Sequence, residues 1–185
     1  MKRNSIVLER QKPLMASYIV NPEKAWVTDM ATVEGQHLSD PFHTKVMVNE
    51  ELQYPFPIGV HRAVGGLHDA PNPGDILCTA MAACFESTLR LVANRLGIVL
   101  KYTSVKATAE VDVRGTLMID KTVPVAFQKM GLQVEISTDS PNKGLVEVLL
   151  KATEHSCIIL QTLKAALSVT IQHQIVSEPQ LVDQV

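Results

Sequence analysis

Asn72-Pro73-Gly74-Asp75-Ile76-Leu77-Cys78-Thr79-Ala80-Met81-Ala82-Ala83-Cys84-Phe85 is the stretch that decides how this chain folds. Asn72 is an N-cap residue, Pro73 suits the first helical turn, and Asp75 complements a helix N-terminus. Gly97 can end the helix in a left-handed conformation, so the pattern predicts one helix over 73–96. At the usual rise per residue it is about 36 Å long. Its first half, Ile76 to Phe85, has no polar face, and a helix apolar all round is buried on all sides. From Glu86 onward polar residues return and the helix becomes amphipathic. One chain of 185 residues hardly covers such a helix from every direction, so a partner subunit is expected.

Outward from this helix the chain alternates strands and helices. Residues 5–20 read as helical, with Pro13 breaking the helix or opening a second turn, and Asn21-Pro22 reads as a turn. Residues 25–33 and 44–48 are strand-like, and 50–72 form a long irregular stretch rich in Pro, Gly and His. Residues 100–113 and 131–138 alternate as strands, joined by a long connection. Residues 145–154 place Leu145, Val148, Leu149 and Ala152 on one helical face; a second helix follows over 156–165, then a final strand over 167–176. The order predicts an α+β fold.

Composition removes several functions. A net charge of −2 with dispersed Lys and Arg leaves no electrostatic footprint for nucleic acid, and 4% aromatics leave little to stack bases on. The apolar run Ile6-Val7-Leu8 is too short for a secretory signal, and no unbroken run reaches the roughly 18 apolar residues of a membrane span. The expectation is a soluble, cytoplasmic protein with no membrane partner. Thiols stay reduced there, so Cys78, Cys84 and Cys157 are read as packing, metal-ligating or redox groups.

Helix geometry constrains the three thiols. Cys78 and Cys84 lie about 9 Å apart along one helix axis, beyond the roughly 7 Å Cα limit of a disulfide. Any bridge within the chain therefore joins Cys157 to Cys78 or to Cys84. Cys84 is favoured, because the small Ala80 and Ser87 leave room beside its sulfur. The competing reading makes Cys84 a small buried hydrophobe; Cys78 is read as structural. Cys157 opens a predicted helix, where a thiol's pKa falls. Its neighbours Glu154 and His155 are polar groups a structural cysteine does not need, although an amphipathic helix also ends this way. Metal binding is a weak alternative: there is no C-x-x-C, and only His61 and His68 flank a common loop.

Two of these segments carry a family resemblance. The run Asn72 to Leu77, followed by Ala82-Ala83-Cys84-Phe85, resembles the central helix of the OsmC/Ohr family, the osmotically inducible and organic-hydroperoxide-resistance proteins. Glu154-His155-Ser156-Cys157 resembles that family's second-cysteine segment. The element order is similar from about residue 25 to 176, which implies an OsmC-like domain over 25–185 and an N-terminal helical extension over 1–24. The resemblance implies an intertwined homodimer, long helices central and mainly antiparallel sheets outside. It also implies a thiol peroxidase that needs no cofactor and no metal. Cys84 would attack an organic hydroperoxide and become a sulfenic acid, Cys157 would condense with it, and a dithiol reductant, lipoyl-type in the family, would reopen the disulfide.

Only a thiolate reacts, and burial opposes it. The family supplies an Arg, held by a Glu at the start of the long helix. The matching position here is Gly74, with Asp75 next to it, and residues 26–46 contain no Arg. Arg62 is the nearest substitute, with Asp75 as its partner and His155 as further support; the competing reading makes Arg62 a solvated residue or a cap on loop carbonyls. A rival function follows from the same departures: an inactive OsmC-like dimer binding a small apolar ligand. Thiol or persulfide handling is a third.

Overall fold

The computed structural model describes residues 5–35, 37–139 and 143–175. Helix α2 spans Pro73–Leu96. Its start is a reciprocal cap. Asn72 Oδ1 accepts from the N–H groups of Gly74 and Asp75, while Asp75 Oδ2 accepts from Asn72 N at 3.0 Å. Its end is Gly97, at φ 72° in the left-handed region that favours glycine.

Around α2 lie two antiparallel sheets. Strands β1 (Ala31–Val33), β2 (Thr44–Val48) and β3 (Tyr54–Ile58) form one, in that order. Strands β4 (Leu100–Glu110) and β5 (Lys129–Thr138) form the other, with a register shift between Leu100 and Tyr102. Helices α3 (Lys143–Ser156) and α4 (Ile158–Ala165) pack on α2, and Leu149 of α3 joins Leu89, Val92, Ala93 and Ile98 in the core. Burying a large apolar side chain of this kind contributes about 1.5–3 kcal/mol. Helix α1 (Ile6–Val20) is held to the far end of α2 by Asn94, whose Oδ1 accepts from Ser5 Oγ at 2.7 Å and Val7 N at 3.2 Å.

Four local expectations are corrected. Pro13 sits inside an unbroken α1. The strand expected over 25–33 shrinks to Ala31–Val33: Pro22–Ala25 forms a 3-10 turn, and β2 ends at Val48 opposite Ala31, which leaves 26–30 beyond the ladder. The stretch over 50–72 contains β3, whose Pro55 and Pro57 alternate on an edge strand; both missing N–H groups fall on one side, leaving the ladder to β2 intact. Residues 167–175 form no strand; Leu167, Val169 and Ile171 are 66%, 85% and 84% exposed, since no edge among the described residues pairs with them. Val176 lies outside the described residues.

The chain does not enclose its central helix. Only Met81, Phe85, Leu89, Val92 and Ala93 of α2 are buried, while Ile76, Leu77, Ala80 and Cys84 are half-buried and Ala83 is exposed. The single chain exposes 15042 Å². A compact monomer of its mass exposes about 8,800 Å². By length and composition α2 is also apolar enough to cross a bilayer, though Asp75 and Glu86 interrupt its apolar run. In this fold it is the helix against which β4, α3, α4 and α1 pack.

Candidate functional site

The site is built where α2 meets the corner between α3 and α4. That corner is one residue long. Cys157 N donates to Thr153 O at 2.9 Å, and Gln161 N donates to Cys157 O at 2.9 Å, so one residue closes α3 and opens α4. Two further bonds tie the corner: Gln161 Nε2 to Glu154 O at 2.8 Å, and Lys164 Nζ to Glu154 Oε1 at 2.6 Å. The fully buried Thr153 spends its hydroxyl on Leu149 O, which leaves that group satisfied beside the sulfur.

The structure brings two of the three thiols together. Cys157 Sγ lies 3.4 Å from Cys84 Sγ, with the Cys157 thiol donating to Cys84. Cys157 is completely buried and Cys84 half-buried. Burial pushes the Cys157 thiol above its ordinary value; the amides of Leu160 and Ile159 at the start of α4 pull the other way. The two sulfurs are free thiols at this separation, and a disulfide needs about 2.05 Å. Cys78 stands apart from the pair, its pKa raised by burial and then by Asp75 one turn before it.

The remaining predicted residues do not converge on the thiols within one chain. Arg62 belongs to a 3-10 turn, Arg62–Val64, and its Nε donates to Leu67 O at 3.1 Å, which is capping of a loop carbonyl. Asp75 is engaged by Asn72 and by His68, whose Nε2 lies 3.2 Å from Asp75 Oδ2. Hydrogen bonding from the Asn72 backbone is the main reason its carboxyl stays below the usual range. His155 is exposed in the last turn of α3 and lines a shallow surface cavity with Ile158 and Thr162. His61 and His68 lie against each other, ring centres 4.6 Å apart. Among the described residues no His, Cys, Asp or Glu cluster is arranged to hold a metal.

Sequence reasoning misses three features. A Cβ at Gly74 would meet Phe127 Cζ at 3.0 Å, so an aromatic ring from the β4–β5 connection covers the position where the resemblance places a Glu. No spacing signal links residues so distant in the chain. His43 bridges Asp40 and Asp69, at 2.7 Å and 3.1 Å, joining the approach to β2 to the loop before α2. Finally, an apolar cavity of about 530 Å³ opens where α2, β5, α3 and α4 meet; Met81, Phe85, Met130, Leu150 and Leu163 line it, with Glu154 and Lys164.

Known proteins share this architecture. A family model described as OsmC-like protein matches residues 66–172, more than half of the chain. An organic hydroperoxide resistance protein OsmC from Legionella pneumophila is similar at 23% identity and TM-score 0.55, over 75% of this chain and 90% of that one. An OsmC-like protein from Mycoplasma pneumoniae is similar at 13% identity and TM-score 0.60, over 76% and 89%. An organic hydroperoxide resistance protein from Elizabethkingia anophelis is similar at 20% identity and TM-score 0.54, over 76% and 91%. No curated protein matches. These likenesses establish the fold, α+β and OsmC-like.

Proposed function

This chain belongs to the OsmC-like protein family, and from that membership and its thiol pair we propose that it is a thiol-dependent peroxidase acting on organic hydroperoxides in oxidative-stress defence. The observation that carries the reading is the 3.4 Å approach of Cys157 Sγ to Cys84 Sγ. Cys84, the accessible member, is the nucleophile. Its thiolate attacks the terminal peroxide oxygen; an S–O bond forms, the O–O bond breaks, and the alkoxide takes a proton and leaves as alcohol. Cys157 attacks the resulting sulfenic sulfur, the S–S bond forms, and hydroxide leaves as water with the Cys157 proton. A dithiol reductant, of lipoyl type in related proteins, then restores both thiols.

The working unit of this proposal is a cytoplasmic homodimer, with residues 1–24 an extension of the domain over 25–185. The large exposed surface and the uncovered faces of α2 support it. In the dimer Arg62 of one subunit stabilises the partner's thiolate, with Asp75 holding Arg62 and His155 as further support. A second reading, ligand binding without peroxidase chemistry, is favoured by the apolar cavity lined by Met81, Phe85 and Leu163.

Titration of the reduced protein with an alkyl hydroperoxide separates the two. Loss of two thiols per chain, with Cys84 joined to Cys157 in a digest, is the expected result. Retention of all three thiols at stoichiometric peroxide, or unchanged turnover in Cys84→Ser, overturns the peroxidase.

A further inference from the structure

We propose that the Cys84–Cys157 disulfide is opened at one end only: the reducing dithiol attacks Cys84 Sγ, and Cys157 is always the leaving thiol. This rests on the disulfide of the proposed peroxidase cycle and adds the identity of the sulfur that meets the reductant.

Thiol–disulfide exchange requires the attacking thiolate to approach a sulfur on the side opposite its bonded partner. Cys157 is 0% exposed. It sits where the end of α3 and the start of α4 meet the side of α2. The approach to Cys157 therefore runs through the corner held by Thr153, Gln161 and the Glu154–Lys164 pair. Cys84 is half-buried, against a fully buried Cys157, and its helix neighbours Ala80 and Ser87 are small side chains.

Leaving-group chemistry is the opposing consideration. A thiol with a raised pKa departs more slowly, and burial acts on Cys157 in that sense. The departing electron pair nevertheless arrives where the Leu160 and Ile159 amides face the sulfur. A slower departure lowers a rate, whereas a sulfur without an approach path is not attacked, so access decides.

The electron count closes. A thiolate of the dithiol forms a bond to Cys84 Sγ as the Cys84–Cys157 bond breaks, and Cys157 leaves with the electron pair and takes a proton. The second thiolate of the same dithiol attacks its tethered sulfur, closing a cyclic disulfide and releasing Cys84 as thiolate. Two electrons have moved from the dithiol to the protein. The product has a Cys157 thiol beside a Cys84 thiolate, in the donor and acceptor order of the reduced pair.

The test uses the full chain carrying Cys78→Ala, so that the peptide around Cys84 has a single thiol. Diamide makes the disulfide without any peroxide. A limiting small monothiol, glutathione, then attacks it, acid stops the exchange, and peptide mass mapping locates the adduct. The expected result is glutathione on Cys84 with Cys157 free, in at least about tenfold excess over the reverse. Adduct on Cys157, or comparable adduct on both, overturns the proposal. Failure of diamide to join the two cysteines overturns it as well. A disulfide that forms with diamide but not with alkyl hydroperoxide removes the peroxidase reading alone; the adduct position then still upholds or overturns the point of attack.

Discussion

Cys157 Sγ and Cys84 Sγ face each other at 3.4 Å across 73 residues of chain, one sulfur buried in the α3–α4 corner and the other on the rim of α2. Removing the buried partner should divide the chemistry into halves. Cys157→Ala is expected to lose one thiol per chain to one equivalent of alkyl hydroperoxide and then stop, with a sulfenic acid at Cys84 trapped by a dimedone-type reagent. Turnover with a dithiol at the native rate in that variant would show that Cys157 takes no part. Cys157→Ser places a hydroxyl in the same apolar site and is expected to cost about 1–3 kcal/mol of stability, read as a lowered denaturant midpoint.

Gly74 and Phe127 are predicted to be coupled. A side chain at position 74 meets the Phe127 ring at 3.0 Å, so Gly74→Glu should be destabilising by about 1–2 kcal/mol in the native background. In a Phe127→Ala background the cost should shrink without vanishing, because the added Cβ also meets Asn72 Oδ1 at 3.0 Å. Thermal midpoints of the four proteins measure the interaction; additive effects would mean the contact carries no energy.

A pH effect is expected at the His43 bridge. Hydrogen bonds to Asp40 and then to Asp69 raise the His43 pKa, and only the protonated ring donates from both nitrogens. A raised folded pKa contributes stability that is full below about 6.5 and is lost as pH rises through the elevated value. The bridge is solvent-exposed, so the effect is small. The melting temperature of the protein should fall more between pH 6.5 and pH 9 than that of His43→Gln. Parallel curves for the two proteins would remove His43 as the origin.

Asn94 is the anchor of α1. Its single carboxamide oxygen accepts both the Ser5 hydroxyl and the Val7 amide, and no residue of α1 is buried. Asn94→Leu should therefore release α1 while α2 stays intact, with a loss on the order of 1–2 kcal/mol for two hydrogen bonds. Amide exchange over residues 6–20 is expected to rise by at least about tenfold relative to the β4–β5 sheet. Unchanged protection of α1 would show that other contacts hold it.

The parts of the fold that local chemistry governs are legible in the amino-acid sequence. The limits of α2 follow from Asn72, Pro73, Asp75 and Gly97, whose roles need no information from elsewhere in the chain. Helix geometry likewise excludes the Cys78–Cys84 pair, but leaves Cys157 with two partners. What is not legible depends on distant segments meeting. Strand β3 is hidden by its prolines, which an edge strand tolerates and a central one does not. Residues 167–175 have the alternation of a strand but no neighbour among the described residues to pair with. Arg62 and Asp75 each find partners within a few residues, Leu67 and Asn72, closer than any the resemblance implies. Phe127 reaches Gly74 across the whole of α2 and β4, a contact with no trace in spacing.

The one-residue corner has a mechanical consequence. Helix α3 ends at Ser156 and α4 begins at Ile158, so the backbone of Cys157 is the pin on which the two helices turn. Closing the sulfurs from 3.4 Å to about 2.05 Å is shared between the two cysteine side-chain torsions and that pin, with no slack loop between the helices. Whatever part of the closure reaches the backbone passes to both helices and to the Glu154–Lys164 pair that joins them. Oxidation thus loads the joint between α3 and α4, not the sulfurs alone.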